Sequence, residues 1–389
     1  MEKIKTRLDI NCQHLWLLAV FAVILVGCGS RNKGATEVVF DRTVYEPQYA
    51  SGFRILGNEE SESYVIEVTD PWEGADSVTF RLLVLAEGEE VPDDFDGQVL
   101  KGKAGRIVAM SSTNVAMLDA LGKTPEIVGI SGKRFISSSN VKSRLADIAD
   151  VGYEGQMDYE ALIASRPDLV LLYGVQGASA MENKLRELGI PYLYVGDYLE
   201  ESPLGKAEWV VAIAAVVSSV DEGVKVFSEL PPRYNSLRDS LASLNLPPVK
   251  VLVNAPYADS WLLPPTGSYG SRLIADAGGK ILTRGKISDN VIPVSREEAL
   301  LIAGEADFWL NPGNVQSLGE LDRLAPGFLN TGCVTKGGVF NNNRRSTPGG
   351  GNDYFESGVM HPDVILLDLV RIFHPERFPG PLYYYQRLE

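Results

Sequence analysis

The stretch Arg106-Ile107-Val108-Ala109-Met110, followed by Ser111-Ser112-Thr113-Asn114, by Val115 to Leu121 and by Gly122, decides the fold. The first five residues are rich in apolar side chains and predict a short buried strand. The hydroxyl and amide side chains that follow can cap the free N–H groups of a helix over 115–121, and Gly122 stops it. The same grammar recurs downstream. Ile127 to Ile130 reads as a strand ending at Ser131-Gly132-Lys133-Arg134. Asp158 caps a helix over 159–165, Arg166-Pro167-Asp168 turns the chain, and Leu169 to Tyr173 is a strand. Asn183 to Leu188 is an amphipathic helix before the strand Pro191 to Val195. Repeated strand and helix units predict an α/β lobe on a largely parallel sheet, here over 101–202.

A second lobe, 247–389, echoes the first. Residues 203–246 are mostly helical, with an interruption at Pro231-Pro232, and Pro247-Pro248 leads into the strand Val249 to Val253. Leu118-Asp119-Ala120-Leu121-Gly122 has its counterpart in Ile274-Ala275-Asp276-Ala277-Gly278, and Tyr159-Glu160-Ala161-Leu162 in Glu297-Glu298-Ala299-Leu300. Near the end, His361-Pro362 introduces a strand-like run Val364 to Leu367, and His374-Pro375 reads as a helix terminus. Two similar lobes joined by one helical segment predict a cleft between them, because ligands of such sheets collect beyond the strand ends.

The chain has 389 residues, 45% of them apolar, enough to fill two cores. Lys and Arg number 36 against 51 Asp and Glu, a formal charge of -15 that argues against nucleic acid as a partner. Three cysteines and three histidines are too few and too scattered for a disulfide framework or a histidine-built metal site. At the N-terminus, Lys3, Lys5 and Arg7 precede an apolar run from Leu15 to Val26, the pattern of a signal peptide over 1–27. The alternative is an uncleaved anchor. Residues 29–34 are small and polar enough for a tether. Trp209 to Val217 is too short to span a bilayer and predicts a buried helix. Residues 35–100 form alternating pieces separated by turns, a β-rich extension. Its 57–97 portion holds thirteen acids and the single base Arg81, which reads either as an acidic docking face or as a solvated surface.

Residues 101–389 resemble the substrate-binding proteins of ABC importers for ferric siderophores, heme or cobalamin. The resemblance rests on Arg106-Ile107-Val108, Ser111 to Asn114, Leu121-Gly122, Val128-Gly129-Ile130, Val151-Gly152, Glu160 with Arg166 to Val170, Gly189-Ile190-Pro191, Asp276 to Gly279 and Val294 to Glu297. In the tail it adds Asn352-Asp353-Tyr354, Pro362 to Asp368 and His374-Pro375-Glu376. Leu25-Val26-Gly27-Cys28 likewise resembles a bacterial lipobox, with Cys28 as the lipidated residue that begins a 28–34 tether. The family implies an α/β fold of two Rossmann-like lobes joined by a long rigid helix, the class III periplasmic binding protein, with small changes in lobe spacing. It implies a lipid-anchored, periplasmic monomer with no cofactor of its own, whose ligand carries iron or cobalt. Its partners are a permease dimer and a cytoplasmic ATPase. It also places one docking carboxylate on each lobe, matching Glu160 and Glu297. The 35–100 extension lies outside this two-lobe core.

The predicted cleft rim comes from loops after strands. Aromatic faces can pack on a flat ligand, while amides and guanidinium groups meet its polar edge. The candidates are Ser112, Asn114, Arg134, Phe135, Tyr153, Tyr173 and Gln176 in the first lobe. In the second they are Tyr257, Trp261, Tyr269, Asn311 and the basic pair Arg344 and Arg345. Core packing is the competing reading for each aromatic. Glu298 fits a capping role after Ser295 better than a docking one. Neither Cys333 nor Ser111 carries a nucleophile's motif, so an enzyme is not expected. Gly337-Gly338 and Gly349-Gly350-Gly351 lack phosphate-loop spacing and read as turns. The remaining alternative is a lipoprotein that captures a ligand or a protein without a permease.

Overall fold

The computed structural model describes residues 39–389 apart from Glu154, Gln176, Ala258 and Asp259. The signal peptide, Cys28 and the tether fall outside the described residues, as does the cleft candidate Gln176.

Two five-stranded sheets organise the molecule. In the N-terminal lobe the strands lie in the order Tyr192–Tyr194, Leu169–Leu172, Ile107–Ala109, Ile127–Ile130, Ala149–Asp150, all parallel. Every residue of the three strands at 107–109, 169–172 and 192–194 is buried, as expected where both faces are covered. In the C-terminal lobe the order is Gly279–Ile281, Val249–Val253, Phe308–Leu310, Val339–Asn341, Gln386–Arg387, with only the last strand antiparallel. Numbered along the chain, the first sheet reads 3-2-1-4-5 and the second 2-1-3-4-5. The strand order therefore reverses beside the 107–109 strand in one lobe and beside the 249–253 strand in the other, which is where crevices open.

Local signals explain the element ends. The Ser111 hydroxyl accepts from the Thr113 N–H to start the helix Ser112–Ala120, and Gly122 leaves it at a left-handed φ of 68°. The interlobe connection runs through consecutive helices Pro203–Glu208, Val210–Val217, Val220–Ser228 and Leu230–Ser243. Pro231 and Pro232 sit in the first turn of the last helix, where a missing N–H leaves no bond unmade. All of Val210–Val217 is buried. The run Val364 to Leu367 belongs to a helix, Pro362–Phe373, and is not a strand. Its buried residues Ile365, Leu366, Leu369, Val370, Ile372 and Phe373 follow the helical period, which four apolar residues alone do not reveal.

The extension forms its own five-stranded sheet, in chain order Arg42–Tyr45, Phe53–Asn58, Ser61–Thr69, Thr79–Leu85, Gln98–Lys101. One face, including Phe53, Ile55, Ile66, Val68, Leu82 and Val84, merges with the main core. The other encloses a small separate cluster of Phe40, Leu56, Val65, Leu83 and Leu85. Two buried carboxylates fasten the sheet to the connecting helices. Glu208 accepts from the Tyr45 hydroxyl and from the N–H groups of Gln48, Tyr49 and Ala50, and Glu200 from Ser51, Gly52 and the Trp209 indole. Saturating each buried carboxylate with donors offsets its desolvation. Trp72 forms a β-bridge to Gly174 and meets Tyr194 edge-on at 5.5 Å, so the extension abuts the end of the 169–172 strand.

Candidate functional site

The crevice predicted by strand order is present in the N-terminal lobe. Loops leaving the adjoining strands 107–109 and 169–172 place Met110, Ser111, Ser112 and Tyr173 around a cleft of about 400 Å³. Ser131, Phe135 and Ile136, after the next strand, and Tyr153 extend the same wall. The Phe135 and Tyr153 rings lie 6.3 Å apart, and the Arg134 guanidinium covers Phe135 at 4.5 Å. Across the cleft the C-terminal lobe contributes Gly350, Gly351, Asn352 and Phe355. Phe355 is 60% exposed and Tyr153 39%, so aromatic surface faces solvent at the cleft.

The far wall approaches closely because it is glycine-built. Thr347 and Gly351 close a turn by the Thr347 N–H to the Gly351 carbonyl at 2.8 Å, and a Cβ on Gly351 would collide with the Phe135 backbone. Beside it Glu356, 1% exposed, accepts from the N–H groups of Ser137 at 2.5 Å and Ser138 at 2.7 Å, tying the lobes together. Burial raises its carboxyl above the usual range while the two N–H donors pull the other way. Beneath the cleft, Lys206 pairs with buried Asp197 at 2.9 Å, and the Thr113 hydroxyl donates to the same carboxylate at 3.2 Å.

Of the sequence candidates, Ser112, Phe135, Tyr153 and Tyr173 come together in this cleft, with exposed Arg134 at its edge. Others lie elsewhere. Asn114 is 1% exposed, because it sits on the helix face turned into the core. Trp261 is fully buried: its indole donates to the Val253 carbonyl at 2.8 Å and its ring packs on Phe328 at 5.1 Å, the usual fate of a large apolar ring with one donor to satisfy. Tyr269 is outside the cleft lining. Lys206 lies 5.7 Å from its ring centroid and its hydroxyl bonds that of Tyr354, while burial holds its own pKa well above the ordinary value. Asn311 stands at a strand end in a left-handed conformation, φ 54°, but its side chain bonds Tyr385. Arg345 is neutralised by Asp353 at 2.5 Å and lies over the Tyr383 ring at 4.4 Å, so the basic pair reduces to exposed Arg344. Tyr257, 73% exposed, stands on a paired strand and is not among the residues that line this cleft. Sequence reasoning missed Met110, Ser131, Ile136, Asn352 and Phe355. The run Gly349-Gly350-Gly351 signalled the close approach, but it read as a turn alone.

The two docking candidates occupy equivalent places. Glu160 is in the first turn of the helix Tyr159–Ala164 and Glu297 in that of Arg296–Glu305, both exposed and without an ion pair among the described residues. Glu297 is held below the usual carboxyl range by its own backbone N–H and by the Ser295 hydroxyl. Glu298 differs: its N–H donates to Ser295 and its carboxylate pairs with Lys286 at 2.9 Å. Cys333 is buried, and desolvation raises its thiol pKa.

A family model described as periplasmic binding protein matches residues 107–324, more than half of the chain, including the N-terminal-lobe wall of the crevice. The chain belongs to the periplasmic binding protein family. This is a non-catalytic family of transport components whose members pair with ABC permeases, and the two-lobed architecture described above is its class III form. Its family name places the protein in the periplasm. An uncharacterized lipoprotein of Methanocaldococcus jannaschii is 26% identical over 303 residues, covering 75% of this periplasmic binding protein and 70% of its own length. Among solved structures, a periplasmic heme-binding protein from Pseudomonas aeruginosa has a TM-score of 0.57 at 18% identity, covering 74% of this chain and 98% of that one. A periplasmic vitamin B12-binding protein of Vibrio cholerae has a TM-score of 0.52 at 15% identity, with 70% and 98% covered.

Proposed function

We propose that this periplasmic binding protein is the capture component of an ABC importer for a chelated metal compound. A ferric siderophore is the first choice, and cobalamin or heme are the other members of the class. The observation that carries the reading is the interlobe cleft, where Phe135, Tyr153 and Phe355 offer ring faces beside the hydroxyls of Ser111, Ser112 and Ser131. Such a lining suits a rigid, ring-bearing ligand with a polar edge. The heme and vitamin B12 proteins that share the fold bind ligands of this kind.

The loaded protein docks on the permease through Glu160 and Glu297. Exposed Ile163 in one helix and Leu300 and Leu301 in the other supply apolar surface next to each acid, the composition expected of a protein contact. The lobes are tied by Glu356 and by the glycine wall, so release proceeds through a small change in their spacing. The signal peptide 1–27 is removed, Cys28 carries the lipid and 28–34 is the leash. The lipoprotein name of the Methanocaldococcus relative supports that assignment. The protein works as a monomer and performs no covalent chemistry.

The test is a titration of the mature chain with cyanocobalamin, heme and a panel of ferric siderophores, following tryptophan fluorescence and ligand absorbance. Saturable one-to-one binding of one compound names the cargo. A folded sample that binds none of them overturns the chelate reading. Uptake that is unchanged by replacing both docking acids would instead favour a capture lipoprotein working without a permease.

A further inference from the structure

We infer that the C-terminal lobe carries a second ligand site, for an anion with an apolar body, at the end of its sheet opposite the interlobe cleft. The strands Phe308–Leu310 and Val339–Asn341 run in parallel towards the cleft side. Asp307 and Gly338 precede them, so a groove built on these two residues lies at the opposite end. That groove encloses about 530 Å³ between the strand starts, the end of the helix Pro362–Phe373 and the segment 375–382.

Its floor is apolar and its rim is basic. Phe308, Phe340, Ile372 and Phe378 line the body, and Lys336, Arg371 and Arg387 line the edge, against the single acid Asp307. Asp307 already accepts the Lys250 N–H at 2.9 Å. Three cations gathered around one cavity stand out in a chain of formal charge -15. None of the three forms an ion pair among the described residues, although Arg371 acts electrostatically on the buried Asp368 carboxylate; Arg345, by contrast, is paired. Both guanidinium groups pack closely against a glycine. A Cβ on Gly337 would fall 2.6 Å from Arg387 Cζ, and one on Gly380 would fall 2.7 Å from Arg371 Cζ. Both glycines have positive φ, 71° and 153°, so neither position readily takes a side chain. Arg371 is further held by donating from Nη1 to the Pro381 carbonyl at 2.6 Å, and its buried Nε has no partner among the described residues.

Pre-positioned guanidinium groups without an ion-pair partner match the geometry of a carboxylate or phosphate, and the phenyl floor matches an acyl or aryl body. A bare inorganic anion would leave the floor wet, and a cationic amphiphile would face three like charges. The inference does not rest on the cargo reading, because the groove shares no residue with the interlobe cleft.

The experiment uses the mature chain with Cys28→Ser, so that no acyl group contributes, and 8-anilinonaphthalene-1-sulfonate fluorescence as the readout. Decyl phosphate should displace the probe and decyltrimethylammonium should not. In the Lys336→Gln/Arg387→Gln double variant the decyl phosphate affinity should fall at least about tenfold, the loss of roughly 1.4 kcal/mol of attraction. Lys336→Glu alone, at an exposed position, provides a fold-preserving second variant expected to lose affinity in the same direction. Sedimentation with phosphatidylglycerol vesicles separates the two sources. Binding that the double variant abolishes assigns the head group to a membrane lipid, and displacement by decyl phosphate without vesicle binding assigns a free small anion. Equal displacement by the cationic amphiphile, or double-variant affinities within about twofold of the parent protein's, would overturn the site.

Discussion

The two lobes share a layered plan and use their crevices in opposite ways. In the N-terminal lobe the loops beyond the switch point carry Ser111, Ser112 and Ser131, small residues that leave the cleft open. In the C-terminal lobe the corresponding crevice, beside Val249–Val253 and Phe308–Leu310, is filled. Trp261 arrives on the antiparallel strand Ser260–Leu263 and donates to the Val253 carbonyl, while Trp309 donates to that of Asn254 at 2.7 Å. Phe328 completes the stack, 5.1 Å from one indole and 5.6 Å from the other. The C-terminal lobe therefore reaches the interlobe cleft by another route, the glycine-led segment 350–355. Strand order sets where a crevice can form, and the size of the residues in the adjoining loops sets whether it stays open.

The sharpest way to break this comparison is Trp261→Ala. As a core residue it should lower stability by about 4 kcal/mol, read from the denaturant midpoint, with cargo affinity unchanged in the folded fraction. A large affinity loss at near-normal stability would put Trp261 in the site and reopen the second crevice. Next, Glu356→Ala strands two buried N–H groups and should lower stability by about 2 kcal/mol. Because burial raises the folded pKa of Glu356 above its ordinary 4.5, the native state holds that proton more tightly than the unfolded chain does. The resulting stability is present below 4.5 and is lost as pH rises through the raised value. Glu356→Gln should remove that portion of the pH profile, measured as urea midpoints against the parent protein.

A smaller effect separates the acids of the two helix starts. Replacing Glu160 and Glu297 together by Ala should slow uptake about tenfold with cargo binding intact, while Glu298→Ala, whose carboxylate is already paired with Lys286, should leave uptake unchanged. Equal losses from all three would mean that helix capping and not docking is being measured. The smallest contrast is between two exposed tyrosines. Tyr153→Ala in the cleft should weaken cargo binding about fivefold, the worth of one aromatic contact, and Tyr257→Ala in the C-terminal lobe should not alter it.

Much of the fold was legible because its signals are local. Apolar runs of strand length, hydroxyl caps such as Ser111 and Ser295, and stops such as Gly122 act within a few residues, so alternating strands and helices can be read without knowing what packs on what. The exception, Val364 to Leu367, is a stretch too short for its periodicity to tell helix from strand. The candidate cleft was legible only where a loop follows a strand of the N-terminal sheet, which gathered Ser112, Phe135, Tyr153 and Tyr173. Tertiary structure decided the rest. Whether a tryptophan fills a core or lines a cleft depends on neighbours more than forty residues away, as Trp309 and Phe328 are from Trp261. Whether an arginine is available depends on a carboxylate such as Asp353 reaching it. Residue chemistry determined what each segment can form and which groups can bind; burial and pairing, which depend on contacts between distant segments, decided which of those groups remain free to do so.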